Sequence, residues 1–100
     1  MSEIKVFKER FEAVQYKIID LENNERIIKQ AIPITLDVQD KVEKIIYDPK
    51  ITNGEKIWKQ MIMFFGSDEE TKTIDFWKKF QLEFISQVLQ DFMTTSSKKK

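Results

Sequence analysis

Cysteine and histidine are both absent from these 100 residues, and glycine and proline occur only twice each. Without cysteine there are no disulfides and no thiol chemistry, a usage that suits an intracellular protein. Without histidine, the usual general base near neutral pH and the commonest transition-metal ligand are both missing. Gly54 and Gly66 stand far apart, so no glycine-rich loop exists to cradle a phosphate. Long apolar runs are also missing. The longest, Met61 to Phe65, falls well short of the ~18 residues that a membrane helix requires. Met1-Ser2-Glu3-Ile4-Lys5 lacks the apolar core of a signal peptide. The expectation is a soluble cytoplasmic chain that uses no cofactor and takes no small-molecule substrate.

An excess of charge of one sign is absent as well, since the formal net charge is zero. That balance hides a distribution. Lys98, Lys99 and Lys100 close the chain, leaving fourteen basic against seventeen acidic residues in the rest, a net charge of −3. A nucleic-acid module needs a basic face to gain affinity from counterion release, so that class is set aside. The lysines come after Thr94-Thr95-Ser96-Ser97, a polar stretch with nothing to bury. Residues 94–100 therefore read as a solvated, disordered tail, with electrostatic capture of an acidic partner as the alternative.

The acids offer little catalytic pattern. Asp68, Glu69, Glu70 and Asp75 lie close in sequence, but calcium loops need oxygen ligands at fixed alternate positions around a glycine turn. Acids favoured by helix N-terminal dipoles account for the same residues. Nothing singles out two of the seventeen carboxylates as an acid–base pair. The reading is a non-enzyme with no metal site.

What is present is helical periodicity. Ile4, Phe7, Phe11 and Val14 recur at spacings of three and four, predicting an amphipathic helix over the first stretch. Tyr16 to Ile32 carries two β-branched runs around Asn23-Asn24, predicting a hairpin, because asparagine tolerates the positive φ of a tight turn. Pro33 forces an extended entry. Thr35 or Asp37 can then cap a helix near 37–47 with Val38, Val42, Ile45 and Ile46 facing inward. Asp48-Pro49 stops it and Asn53-Gly54 marks a turn. A helix near 55–65 comes next, closed by Gly66. Ser67 to Glu70 has the spacing of a capping box. Thr73, with Asp75 in the first turn, starts a long helix over 74–93. The fold class is mainly α: one small helical domain over 1–93, with a short N-terminal hairpin.

That last helix carries the functional signal. At about 100° per residue, Phe76, Trp77, Phe80, Phe84, Ile85, Val88, Leu89 and Phe92 cover more than half of its circumference. Lys79, Glu83, Ser86 and Gln90 share the remainder. A helix that packs only on its own domain needs an apolar stripe of little more than ~100°. This one needs partners on two sides, and one of them is plausibly another chain. The candidate protein-binding residues are Trp58, Phe64, Phe65, Phe76, Trp77, Phe80 and Phe84. Two readings stand for them, a purely core role and a shared core and interface role. Trp58 and Phe65 share an inward stripe and are expected in the core. Phe76, at the edge of the apolar arc, is expected to meet another chain.

The stretch Ile32-Pro33-Ile34-Thr35-Leu36-Asp37, the run Lys59 to Glu70 with Phe64-Phe65-Gly66 at its centre, and the amphipathic segment Asp75 to Phe92 together resemble a known pattern. It is that of the tail assembly chaperones of siphophages, most nearly those serving the tape measure proteins of lactococcal phages. The resemblance spans Ile32 to Met93. It implies a non-enzymatic late protein of the host cytoplasm, absent from the mature virion. It also implies self-association and a tape measure protein as client, whose hydrophobic helices it would keep soluble. The competing class is a small helical structural or adaptor protein, such as a virion connector or an antitoxin-like partner.

Overall fold

Residues 3–98 are described by a computed structural model. The order of elements is β1 (Gln15–Ile19), β2 (Glu25–Lys29), α1 (Leu36–Ile46), α2 (Asn53–Phe65), α3 (Ile74–Lys78) and α4 (Leu82–Lys98). The expected mainly helical domain with a short hairpin is what forms. Among the described residues, no helix is long and apolar enough to cross a membrane.

The hairpin pairs antiparallel, with Tyr16 opposite Ile28 and Ile18 opposite Arg26 on the inner face. Asn23 adopts φ 65°, the left-handed geometry that asparagine accepts. The Asp20 carboxylate closes the turn by accepting the N–H groups of Glu22 and Asn24, both at 2.9 Å. These bonds, the Asn24 N–H first, hold the Asp20 carboxyl below its ordinary pKa. Ile18 and Ile28 are buried while Lys17, Ile19, Glu25 and Ile27 face out, the alternation that a one-sided sheet requires.

Each helix start reflects local chemistry. Thr35 Oγ1 accepts the Val38 N–H at 3.1 Å and caps α1. Only Val38 and Val42 of its expected inward face are fully buried, and Ile46 is exposed. Asn53 and Gly54 form the first residues of α2 and not a separate turn. The reason is Thr52, whose Oγ1 accepts the Glu55 N–H at 3.1 Å and starts the helix two residues early. Gly66 closes α2, its N–H donating to the Ile62 carbonyl oxygen at 2.8 Å. A β-carbon at Gly66 would run into that same oxygen. The expected Ser67–Glu70 box is replaced by a reciprocal Asp68–Thr71 pair. The Thr71 N–H donates to Asp68 Oδ1 at 2.9 Å and the Asp68 N–H donates to Thr71 Oγ1 at 3.2 Å. The Thr71 N–H is the main reason the Asp68 carboxyl sits below its ordinary pKa.

Three further expectations about the elements are overturned. Residues 3–14 hold no regular element, because a helix this short is marginal in water without an apolar partner. The long helix over 74–93 is two, α3 and α4, separated at Lys79–Gln81. No proline or glycine marks the break. A straight helix cannot turn rings on more than half of its circumference toward one core, and the corner lets Trp77 sink beside Phe65 with Phe76 packed on Trp77. The disordered tail expected from Thr94 onward does not begin there. Helix α4 runs on through Thr94 to Lys98, while Lys99 and Lys100 lie outside the described residues.

Helix α2 is the hub, packed against α1, α3 and α4. Met61, Phe64, Phe65 and Phe92 are completely buried at the centre, with Ile28 from the hairpin and Val42 from α1 beside them.

Candidate protein-binding cleft

A continuous run of rings leads from the core to the surface. Phe64 and Phe65 each lie about a ring's width from Phe92, at 4.9 and 5.0 Å between centroids. Phe65 then meets Trp77 at 6.5 Å, Trp77 meets Phe80 at 6.3 Å, and Phe80 meets Phe84 at 5.7 Å. Edge and tilted geometries throughout suit the quadrupoles of the rings. The inner end is fully buried. The outer end is open.

The seven residues singled out by sequence divide accordingly. Phe64 and Phe65 are 0% exposed, Trp77 2% and Phe76 5%. None of these four presents a free surface. Phe76, expected to meet another chain, instead lies beneath the Arg26 guanidinium at 5.2 Å and the Lys79 ammonium at 4.8 Å. The corner at Lys79–Gln81 turns it inward. Of the pair expected in the core, Phe65 is there and Trp58 is only partly buried. Trp58, Phe80 and Phe84 are the three that remain half-exposed.

Trp58 and Phe80 both line a cleft of about 360 Å³. Its apolar lining is completed by Ile57 of α2, Trp77 of α3, and Leu82 and Ile85 of α4, with Glu55 and Lys78 adding one charge of each sign. A volume of this order lies at the lower end of the range of about 300–1,000 Å³ seen for binding pockets. On its far side Phe80 also lines a second hollow of about 100 Å³, shared with Phe84 and with Ile19 and Leu21 of the hairpin. Leu82 is 58% exposed, Leu21 79% and Ile19 49%, so the apolar patch continues from α4 onto the hairpin tip. Patches of this kind mark interaction surfaces.

Leu82, Ile57, Ile19 and Leu21 were absent from the sequence-derived set. No sequence signal identifies them, because the cleft exists only where the chain breaks between α3 and α4. Chemically the surface is predominantly apolar, with Glu55 and Lys78 at the larger hollow and Asp20 and Lys79 at the smaller. Compared with family models, curated proteins and solved structures, the chain gives no match.

Proposed function

We propose that this chain is a non-enzymatic binding protein that masks apolar side chains of a helical client, in the manner of a tail assembly chaperone. One observation carries the reading. Phe80, half-buried, lines two neighbouring hollows, one bearing Trp58 of α2 and the other Ile19 and Leu21 of the hairpin. A helix bearing spaced aromatic and aliphatic residues fits such a groove. A row of weak sites on one long client gains avidity from many copies. The resemblance of Ile32 to Met93 to siphophage chaperones names the client class, the tape measure protein. It also names the place of action, the host cytoplasm before the virion is complete.

Co-expression tests the reading. Fragments of a tape measure protein are expected to stay in the soluble fraction when this chain is present and to be lost without it, with no nucleotide or metal. Equal solubility in both cases overturns the proposal. So does protection that disappears only when Lys98 to Lys100 are removed, since the apolar surface would then not be the binding element.

A further inference from the structure

Residues 3–13 form an arm on which Ile4, Val6 and Phe7 are almost fully exposed and Phe11 about half exposed. Ile4 is 89% exposed, Val6 84%, Phe7 91% and Phe11 48%. The arm departs where Val14 pairs with Gln30, next to the Ala31 N–H that donates to the Phe64 carbonyl oxygen near the C-terminal end of α2. The cleft lies at the other end of α2, against Thr52 and Glu55. Thirteen helical residues separate those ends, a distance of about 20 Å at 1.5 Å per residue. The described chain is correspondingly long, 63 Å against 34 and 23 Å. An arm with exposed apolar side chains and an apolar cleft thus stand at opposite ends of one molecule.

Their chemistry matches. Ile4, Phe7 and Phe11 fall at i, i+3 and i+7, the anchor spacing of a helix laid in a groove. In helical form Lys5 aligns with Glu9 and Lys8 with Glu12 at i, i+4. The arm carries three basic residues (Lys5, Lys8, Arg10) and three acidic ones (Glu3, Glu9, Glu12), so no like-charge field opposes docking beside Glu55 and Lys78. The apolar surface offered by each arm is roughly 500 Å², on the scale of 150–250 Å² per aromatic side chain. Two arms exchanged reciprocally, counted on both surfaces, reach the roughly 1,200–2,000 Å² of a stable interface.

We propose that the arm of one copy seats in the α2–α4 cleft of a second copy, where residues 4–14 fold as an amphipathic helix. The inference rests on the cleft being a binding surface, as proposed above, and names its occupant when no client is bound. Arm exchange then links copies to one another, and the client competes with the arm.

The test uses the full chain by analytical ultracentrifugation, with an arm variant (Phe7→Ser with Phe11→Ser) and a cleft variant (Leu82→Asp). All three positions are exposed, and circular dichroism melts check that both variants fold. The wild type is expected to associate with rising concentration and to gain helicity as it does so. Each variant should weaken association at least tenfold. An equimolar mixture of the two should form a 1:1 complex at concentrations where either alone is monomeric, because one intact arm then meets one intact cleft. A strictly monomeric wild type, an arm variant that associates normally, or a mixture that stays monomeric overturns the proposal. So does lost thermal stability at unchanged mass, which would place the arm on its own protomer. Arm exchange without client protection overturns the chaperone reading alone, and client protection by a wild type that never associates overturns arm exchange alone.

Discussion

The indole Nε1 of Trp77 donates a 2.8 Å hydrogen bond to the carbonyl oxygen of Thr71, and both residues are buried, at 2% and 1% exposure. This bond ties α3 to the loop that leaves α2, at the point where the chain must turn. Thr71 is itself held by Asp68 through its N–H and hydroxyl. The loop between α2 and α3 is therefore tied to α3 by one polar chain, from the exposed Asp68 through the buried Thr71 to the buried Trp77.

Trp77→Phe keeps a ring in place but leaves the Thr71 carbonyl without its donor. The expected loss is about 1–3 kcal/mol, the cost of an unsatisfied buried acceptor. Trp77→Ala adds a cavity and should cost about 3–5 kcal/mol. Urea denaturation of both variants measures the difference. A Phe variant as stable as the wild type would show that the bond is not what holds the loop to α3.

The Tyr16 hydroxyl donates to Asp91 Oδ2 at 2.6 Å, joining β1 to α4. Burial first, then the Asp91 hydrogen bond and charge, push the Tyr16 phenol up to about 12. The folded state thus holds this proton more tightly than the unfolded chain does. The stabilisation is complete below about pH 10 and is lost as pH rises through about 12. Denaturation midpoints across that window should fall for the wild type and fall less for Tyr16→Phe. Parallel profiles would remove Tyr16 as the cause.

Arg26 places Nη2 at 2.6 Å from Asp68 and Nη1 at 2.7 Å from Glu70, while its Nε is buried with no hydrogen-bond partner among the described residues. Both carboxylates are more than half exposed, and pairs of that kind contribute about 0–1 kcal/mol. The larger effect is cover for Phe76, 5.2 Å from the guanidinium carbon. Arg26→Met should stay within about 1 kcal/mol of wild type, because it keeps an apolar stem and loses only exposed pairs. Arg26→Ala should be clearly less stable than Arg26→Met. Equal thermal midpoints for the two variants would assign the effect to charge.

The sequence made some elements legible and hid others for physical reasons. The hairpin was readable because β-branched runs flank an Asn pair, and Asn23 does take the positive φ. The cores of α1 and α2 were readable because Thr and Gly act locally at their ends. The corner at Lys79–Gln81 was hidden, since tertiary burial of Phe76 and Trp77 drives it and no breaker residue announces it. The helix over Ile4–Val14 fails to form for the complementary reason. Its periodicity is real, but Ile4 and Phe7 stay almost fully exposed. Sequence singled out Trp58, Phe80 and Phe84, which the fold leaves partly buried, through their bulk. It could not separate them from Phe64, Phe65, Phe76 and Trp77, because bulk is common to all seven and only the fold assigns burial.

That division gives the sharpest test of the surface. Phe65 is fully buried between Phe92, Trp77 and Tyr16, so Phe65→Ala should cost about 3–5 kcal/mol. Against a total of about 5–15 kcal/mol for a domain of this kind, such a loss brings the chain close to unfolding. Phe80 and Phe84 are only partly buried and Leu82 is mostly exposed. Leu82→Lys should therefore keep native helicity and cost about 1 kcal/mol or less, while Phe84→Ser, which removes a ring packed on the core beside Phe80, should still fold at a cost of about 1–3 kcal/mol. If the cleft holds the client, these two variants should nevertheless lose most of the client-solubilising effect. Circular dichroism and the soluble-fraction assay, run on the same variants, separate the two effects. Folded Phe84→Ser and Leu82→Lys proteins that protect the client as well as wild type would place the binding surface elsewhere on the molecule.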